Sequence, residues 1–243
     1  MAFYDHFLKS TTASVSQIGE KIVNFQNKFF LGLLRKHFEK ENISLLEIGP
    51  GKGYFADSCS KNNIEYTAIE ANKLMASKLK EKGFRVYCQR VPPICVKEKF
   101  DVVFMSQVLE HINTPLIAEE LIKNCFSILG EDGLIIISSP DLTVWGWDFW
   151  NGDYTHNYPT TLNRAKQLLF DNNFEIIYSG YLTFFLRGDF PTKIITYLGK
   201  LLFNLGLLKL IFGKKAEKVK YSLDRSFIVV GKKLKKFRKN VLK

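Results

Sequence analysis

Hydrophobic positions change their period along this chain, and the changes mark its elements. Between residues 15 and 40, Val15, Ile18, Ile22, Phe25, Phe29 and Leu33 recur every three or four residues. That spacing predicts an amphipathic helix over 15–40. The pattern then breaks into short apolar runs: Ser44-Leu-Leu-Glu-Ile48, Ile64-Glu-Tyr-Thr-Ala-Ile69, Phe84-Arg-Val-Tyr-Cys88, Phe100-Asp-Val-Val-Phe-Met105 and Leu134-Ile-Ile-Ile-Ser138. Each predicts a strand. Helical stretches at 53–62, 72–82 and 115–129 lie between them, closed by Gly83 and Gly130 in two cases. Helix 160–172 and strand 174–182 continue the alternation, and strand 226–231 closes it. Strands apolar on both faces, alternating with helices, predict an α/β fold with a mainly parallel sheet covered on both sides.

Two segments depart from this rhythm. Residues 140–160 predict a loop crowded with aromatics: Trp145, Trp147, Phe149, Trp150, Tyr154 and Tyr158, with all three tryptophans inside six residues. Flat faces and N–H donors suit a sugar ring, and a packed lid suits the same residues. Residues 190–212 predict an apolar helix in which Lys193, Thr196, Lys200 and Asn204 recur on one side. Lys214, Lys215, Lys218 and Lys220 follow. Such a segment is either a lid or dimer helix or a contact with an anionic membrane surface through 193–220.

Length, charge and cysteines narrow the class. A chain of 243 residues, 46% apolar and 24% charged, is an ordinary globular domain. Its charge of +11 is uneven, since residues 214–243 hold twelve basic and two acidic residues. The body is nearly neutral, which argues against nucleic acid as the partner; the end from Lys232 onward reads as a solvated basic tail. Cys59, Cys88, Cys95 and Cys125 show no C-x-x-C spacing, which excludes a zinc finger or redox pair and predicts reduced thiols. No secretory leader is legible at Met1, and the longest apolar run, 194–212, is interrupted by Lys200 and Lys209. These features predict a cytoplasmic protein, peripheral at most at the inner face of the membrane.

The chemistry is concentrated around Leu45-Leu-Glu-Ile-Gly-Pro-Gly-Lys-Gly-Tyr54. Glycines 49, 51 and 53 let backbone approach a ligand closely, and the helix behind them offers free N–H groups. Glu70 ends the second strand, where a carboxylate can accept from both hydroxyls of a ribose. Glu47 adds a negative charge that a phosphate site would not want and a cationic ligand would.

With Phe100-Asp-Val-Val-Phe-Met-Ser-Gln-Val-Leu-Glu-His-Ile112, Leu129-Gly-Glu-Asp-Gly-Leu134 and Asp153-Tyr-Thr-His156, the sequence resembles the class I S-adenosylmethionine (SAM) dependent methyltransferases over residues 30–180. The resemblance implies one Rossmann-like domain with a seven-stranded sheet whose seventh strand is antiparallel. It divides the chain into an N-terminal helix (15–40), core (41–182), inserted helical cap (183–223), last strand (224–231) and tail (232–243). It implies that Glu47, Gly49, Gly51 and Gly53 hold the amino-acid end of SAM and that Tyr54 lies near the sulfonium. Glu70 would bind the ribose, Ala71 and Asn72 would flank the adenine, and Gln89 would meet its amino group. Ser106 and Gln107 would lie beneath the methionine moiety.

Methyl transfer to an alcohol also needs a base, and His111 and His156 are the candidates. Some relatives carry Glu-x-x-Glu-His at 107–111 and bind a divalent ion. Here Gln107, Glu110, His111 and His156 would be the ligands for Mg²⁺ or Mn²⁺, with Gln107 replacing an anionic ligand by a neutral one. The activity implied is O-methylation of a small-molecule or sugar-like acceptor. Methylation of a lipid-soluble quinone or of RNA, and a non-catalytic SAM-binding role, are the alternatives.

Overall fold

The computed structural model describes residues 17–235. The first helix, α1, runs Gln17–His37; Val15 lies outside the described residues. Strands β1 (Ile43–Ile48), β2 (Ile64–Glu70), β3 (Arg85–Cys88), β4 (Phe100–Ser106) and β5 (Leu129–Pro140) alternate with α2 (Tyr54–Ser60), α3 (Lys73–Glu81) and α4 (Pro115–Ile128). Then come α5 (Leu142–Trp145), α6 (Asp148–Gly152), α7 (Leu162–Asp171), β6 (Phe174–Thr183) and β7 (Leu186–Arg187). Helices α8 (Asp189–Asn204), α9 (Leu207–Phe212) and α10 (Ala216–Leu223) precede β8 (Ser226–Lys233).

The sheet order is β3-β2-β1-β4-β5-β8-β6-β7. Pairing is parallel from β3 through β5. The last long strand, β8, is antiparallel to both neighbours. The seven strands read from sequence are all present, and the two-residue β7 adds an eighth at the edge. Side chains alternate across the strands, so each strand feeds two cores. One core joins Leu46, Ile48, Val103, Met105 and Ile135 to α4 and α7. The other joins Leu45, Val102, Phe104 and Ile136 to Phe30 and Leu34 of α1, Phe55 of α2 and Leu79 of α3. Each fully buried side chain of this size contributes about 1.5–3 kcal/mol. Caps fix where helices begin: Asn72, Thr114 and Thr161 accept from the N–H groups of Met75, Ile117 and Arg164.

Three local expectations are corrected. The loop 140–160 contains two short helices, begun where the Asp141 carboxylate accepts from the Thr143 N–H. The helix expected over 190–212 is broken at Leu205–Gly206, where Gly206 takes φ +76°, into α8 and α9 at 80°. The tail expected from Lys232 begins later. Lys232 pairs with Asp132 at 3.0 Å, and the Lys233 ammonium donates to the carbonyls of Phe126 and Leu129 at 2.7 Å. Those partners hold the strand to residue 233; the remainder, 236–243, lies outside the described residues.

Candidate active site

The sheet order reverses between β1 and β4, and the candidate residues gather at the carboxyl ends of these strands, where α/β sheets open a crevice. The glycine turn is tight on two sides. A Cβ at Gly49 would stand 2.6 Å from Val108 Cγ2, and one at Gly53 would stand 2.3 Å from Leu79 Cδ2. Both have positive φ. Around Gly51 there is open space instead. Its N–H donates to Glu70 Oε2 at 3.1 Å, while the Asn72 N–H donates to Oε1 at 2.8 Å. Glu70 thus ties the turn to the end of β2. Burial raises its pKa, and these backbone donors oppose the rise.

Glu47 is almost wholly buried on β1 and accepts a 2.5 Å hydrogen bond from the Tyr66 hydroxyl. Burial pushes its carboxyl up to about 8, the Tyr66 bond opposes this and the neighbouring Glu70 adds to it. A carboxyl raised this far favours its protonated form at neutral pH. A buried acid pair beside a glycine turn fits a ligand bringing an ammonium and a diol, the chemistry SAM offers. Tyr54 begins α2, partly exposed, and its carbonyl accepts from Asn27 of α1 at 3.0 Å. Ala71 is half-buried beside Glu70. Gln89 is turned to its own loop, its amide donating to the Pro93 carbonyl at 3.0 Å.

A second cluster follows β4. Ser106 pairs with Ser138 at the end of the strand. Gln107 then takes φ +57°, a conformation costly for a residue with a Cβ. Its N–H donates to the Ser138 carbonyl at 2.8 Å and its side-chain amide to Ser226 Oγ at 3.1 Å. Gln107 is thus tied to β8 through its amide nitrogen. The turn that follows brings Glu110 and His111 to His156, with one ligand atom from each residue within 4.8 Å of the others.

Glu110 is fully buried. Its Oε2 accepts from the Ser139 hydroxyl at 2.7 Å, and its Oε1 has no hydrogen-bond partner. Burial raises its pKa to about 7, and Asp153 adds to the rise. Thr155 donates its hydroxyl to Asp153 Oδ1 at 2.7 Å, so it must accept from His111 Nδ1, also at 2.7 Å. The Phe149 carbonyl accepts from His156 Nδ1 at 2.5 Å. In both rings the proton is fixed on Nδ1 and the lone pair on Nε2. Burial lowers both imidazole pKa values; the neighbouring His156 lowers that of His111 further, while Asp153 opposes the shift in both. Two neutral imidazoles and a buried carboxylate with one unpartnered oxygen form a donor set that fits a divalent cation.

Several partners escape sequence reasoning. Tyr66 and Ser139 donate to the Glu47 and Glu110 carboxyls, yet each lies in an ordinary strand. Only Asp153 and Thr155 carried a signal, through their place in Asp153-Tyr-Thr-His156. The aromatic segment divides. Trp145 donates from its indole N–H to the Arg225 carbonyl at 3.0 Å and stacks on Tyr221, which ties it to the framework. Phe149 is buried against His156. Trp147, Trp150 and Tyr154 remain exposed.

A model of a methyltransferase domain matches residues 23–179. The ubiquinone biosynthesis O-methyltransferase of a Caulobacter species is 28% identical over 112 residues, 43% of each chain. The malonyl-[acyl-carrier protein] O-methyltransferase of Bacillus cereus is 24% identical over 130 residues, 49% of this chain and 47% of that one. The chain thus spans less than half the length of these curated relatives. The crystal structure of magnesium protoporphyrin IX methyltransferase from Synechocystis, with bound S-adenosylhomocysteine, superposes with a TM-score of 0.62 at 15% identity. That superposition covers 96% of this chain and 95% of the other, and it establishes the fold.

Proposed function

The chain belongs to the class I SAM-dependent methyltransferase family, and from that premise we propose that it methylates a hydroxyl oxygen of a small, ring-bearing acceptor. The observation that carries this reading is the meeting of Glu110, His111 and His156 after β4. The O-methyltransferases among its relatives support it.

SAM supplies a methyl group made electrophilic by a sulfonium. The chain's residues bind and orient around that chemistry. Glu47 would face the ammonium as a carboxylate, its proton passing to solvent; Glu70 would accept from the ribose hydroxyls, and Gly51, with no side chain, would leave room for the ligand. In-line displacement needs the acceptor oxygen held at near-attack distance. Nε2 of His111 or His156 takes the hydroxyl proton, because Nδ1 of each is already committed as a donor. Alternatively, Glu110 and these same Nε2 atoms would hold a divalent cation such as Mg²⁺ or Mn²⁺ instead of taking the proton, and its charge would stabilise the acceptor as an oxyanion.

A lipid-soluble, quinone-like acceptor is the second reading, favoured by the exposed apolar faces of α8 and α9. The test assays the purified chain with SAM against catechols, hydroxyquinones and sugars, with and without chelator. His111→Ala and His156→Ala are expected to lower kcat by about 10²–10⁴-fold while SAM affinity, measured by calorimetry, is retained. Unchanged turnover in both variants overturns the assignment. Chelation without effect removes the metal and leaves the histidines as bases.

A further inference from the structure

Helix α8 lies on the body with a polar stripe inward, and α9 turns Leu208 inward. Thr192, Thr196 and Gly199 of α8 are buried. Thr196 donates its hydroxyl to the Leu223 carbonyl at 2.7 Å, and the Lys200 ammonium donates to the carbonyls of Val144 and Trp145. The apolar side faces outward: Phe190 is 75% exposed, Leu205 64%, Leu210 83% and Ile211 70%, with Ile194 and Leu201 also exposed. Soluble surfaces scatter apolar side chains singly; a continuous run of this kind marks an interaction face. The charge beside it is mainly positive, since the flanking Asp189 is paired with Arg225 and only Glu217 follows as an exposed carboxylate. Residues 190–216 contain five lysines and no Asp or Glu. Lys193, Lys209, Lys214 and Lys215 are exposed.

We propose that the outward face of α8 and α9 docks on an anionic lipid bilayer, lying in its interface with these lysines at the headgroups. This goes beyond methyl transfer and does not depend on it. Charge selects the occupant. A second copy of the chain, related by a two-fold axis, would bring lysines toward lysines with no carboxylate between 190 and 216 to pair with them. An anionic surface complements them. Shape selects the depth. The 16 residues of α8 rise about 24 Å, short of the roughly 30 Å hydrocarbon core. The two helices meet at 80°, and the polar side of α8 is bonded to protein. An in-plane helix pair needs to sink only about 5–10 Å. The loop carrying exposed Trp147 and Trp150 is tied to this cap through Lys200 and through a 2.7 Å ion pair between Lys220 and Asp148. Amphipathic aromatics of this kind favour the headgroup region.

The test is flotation of the full chain with vesicles of phosphatidylcholine alone or mixed with phosphatidylglycerol. The mixed vesicles are expected to bind at least roughly tenfold more protein, with binding weakened by salt. Leu210→Glu with Ile211→Glu is expected to abolish binding, and Lys214→Glu with Lys215→Glu to remove the preference for anionic lipid. Circular dichroism checks that each variant folds; should the α9 pair fail to fold, Phe190→Asp on α8 decides. Three results would overturn the proposal. They are no flotation with either vesicle, flotation undiminished by the apolar-face variants, and flotation lost only on removing residues 236–243. Sedimentation equilibrium adds a fourth: a dimer that Leu210→Glu with Ile211→Glu dissociates, in a chain that binds no vesicle, assigns the face to a second copy.

Discussion

At Glu47 a single carboxyl couples ligand binding to proton release. Burial holds its pKa near 8 in the ligand-free chain. An ammonium partner favours the ionised form, so SAM binding at pH 7 should release close to one proton. Calorimetry in buffers of different ionisation enthalpy measures this directly; a proton count unchanged in Glu47→Gln would refute it. The same group makes stability depend on pH. Its pKa is raised on folding, so the folded chain holds a proton that the unfolded chain loses above about pH 4.5. Its contribution is therefore full at low pH and falls as pH rises toward 8. The wild-type chain should lose up to about 1.4 kcal/mol per pH unit relative to Glu47→Gln across that window. For His111 and His156 the sign runs the other way on activity. Their pKa values are lowered, so the acid limb of kcat/KM should lie below the ordinary imidazole value of about 6.5.

Among the elements, α8 is held by polar groups where a helix of its composition would ordinarily be held by apolar ones. Lys200 is the main anchor. Its ammonium donates to the Val144 and Trp145 carbonyls and stands 3.8 Å from Asp224. Asp224 has two buried oxygens without hydrogen bonds, and burial raises its pKa to about 7. Lys200→Met leaves two carbonyls and this carboxyl without their cation. It should cost about 2–4 kcal/mol, lowering Tm by about 5–10 °C. Adding Asp224→Asn should recover part of that loss, because the abandoned charge is gone. A double-mutant cycle by thermal unfolding reads both.

On the scale of the whole molecule, Arg225 joins the cap to the sheet. Its guanidinium pairs with Asp141 at 3.1 Å after β5 and with Asp189 at 2.5 Å at the start of α8, and it lies 3.7 Å over the Tyr181 ring of β6. Asp189 is exposed to water, but Asp141 is buried, and removing the partner of a buried carboxylate costs more than the pair contributes. Arg225→Ala should therefore destabilise the chain by about 3–5 kcal/mol, measured by denaturant unfolding. Asp141 also starts α5, so the same variant should loosen the segment leading to His156. Faster hydrogen exchange across residues 141–156 would show it.

Local rules were enough to determine much of this protein. Periodicity placed the parallel core strands and most helices, because each needs only its own apolar spacing and a breaker at its end. The Gly49–Gly53 turn, Glu70 and the Glu110-His111 pair were legible because their chemistry is written in adjacent residues. Contacts between distant residues decided the rest. Gln107 is drawn to Ser226, 119 positions away. Glu47 loses its charge to the buried surroundings shared with Tyr66, and the histidine tautomers depend on Phe149 and Thr155. The orientation of α8 is the clearest case. Its sequence is amphipathic either way round, and only the carbonyls of Leu223, Val144 and Trp145, presented by other elements, turn its polar side inward and leave its apolar side facing out.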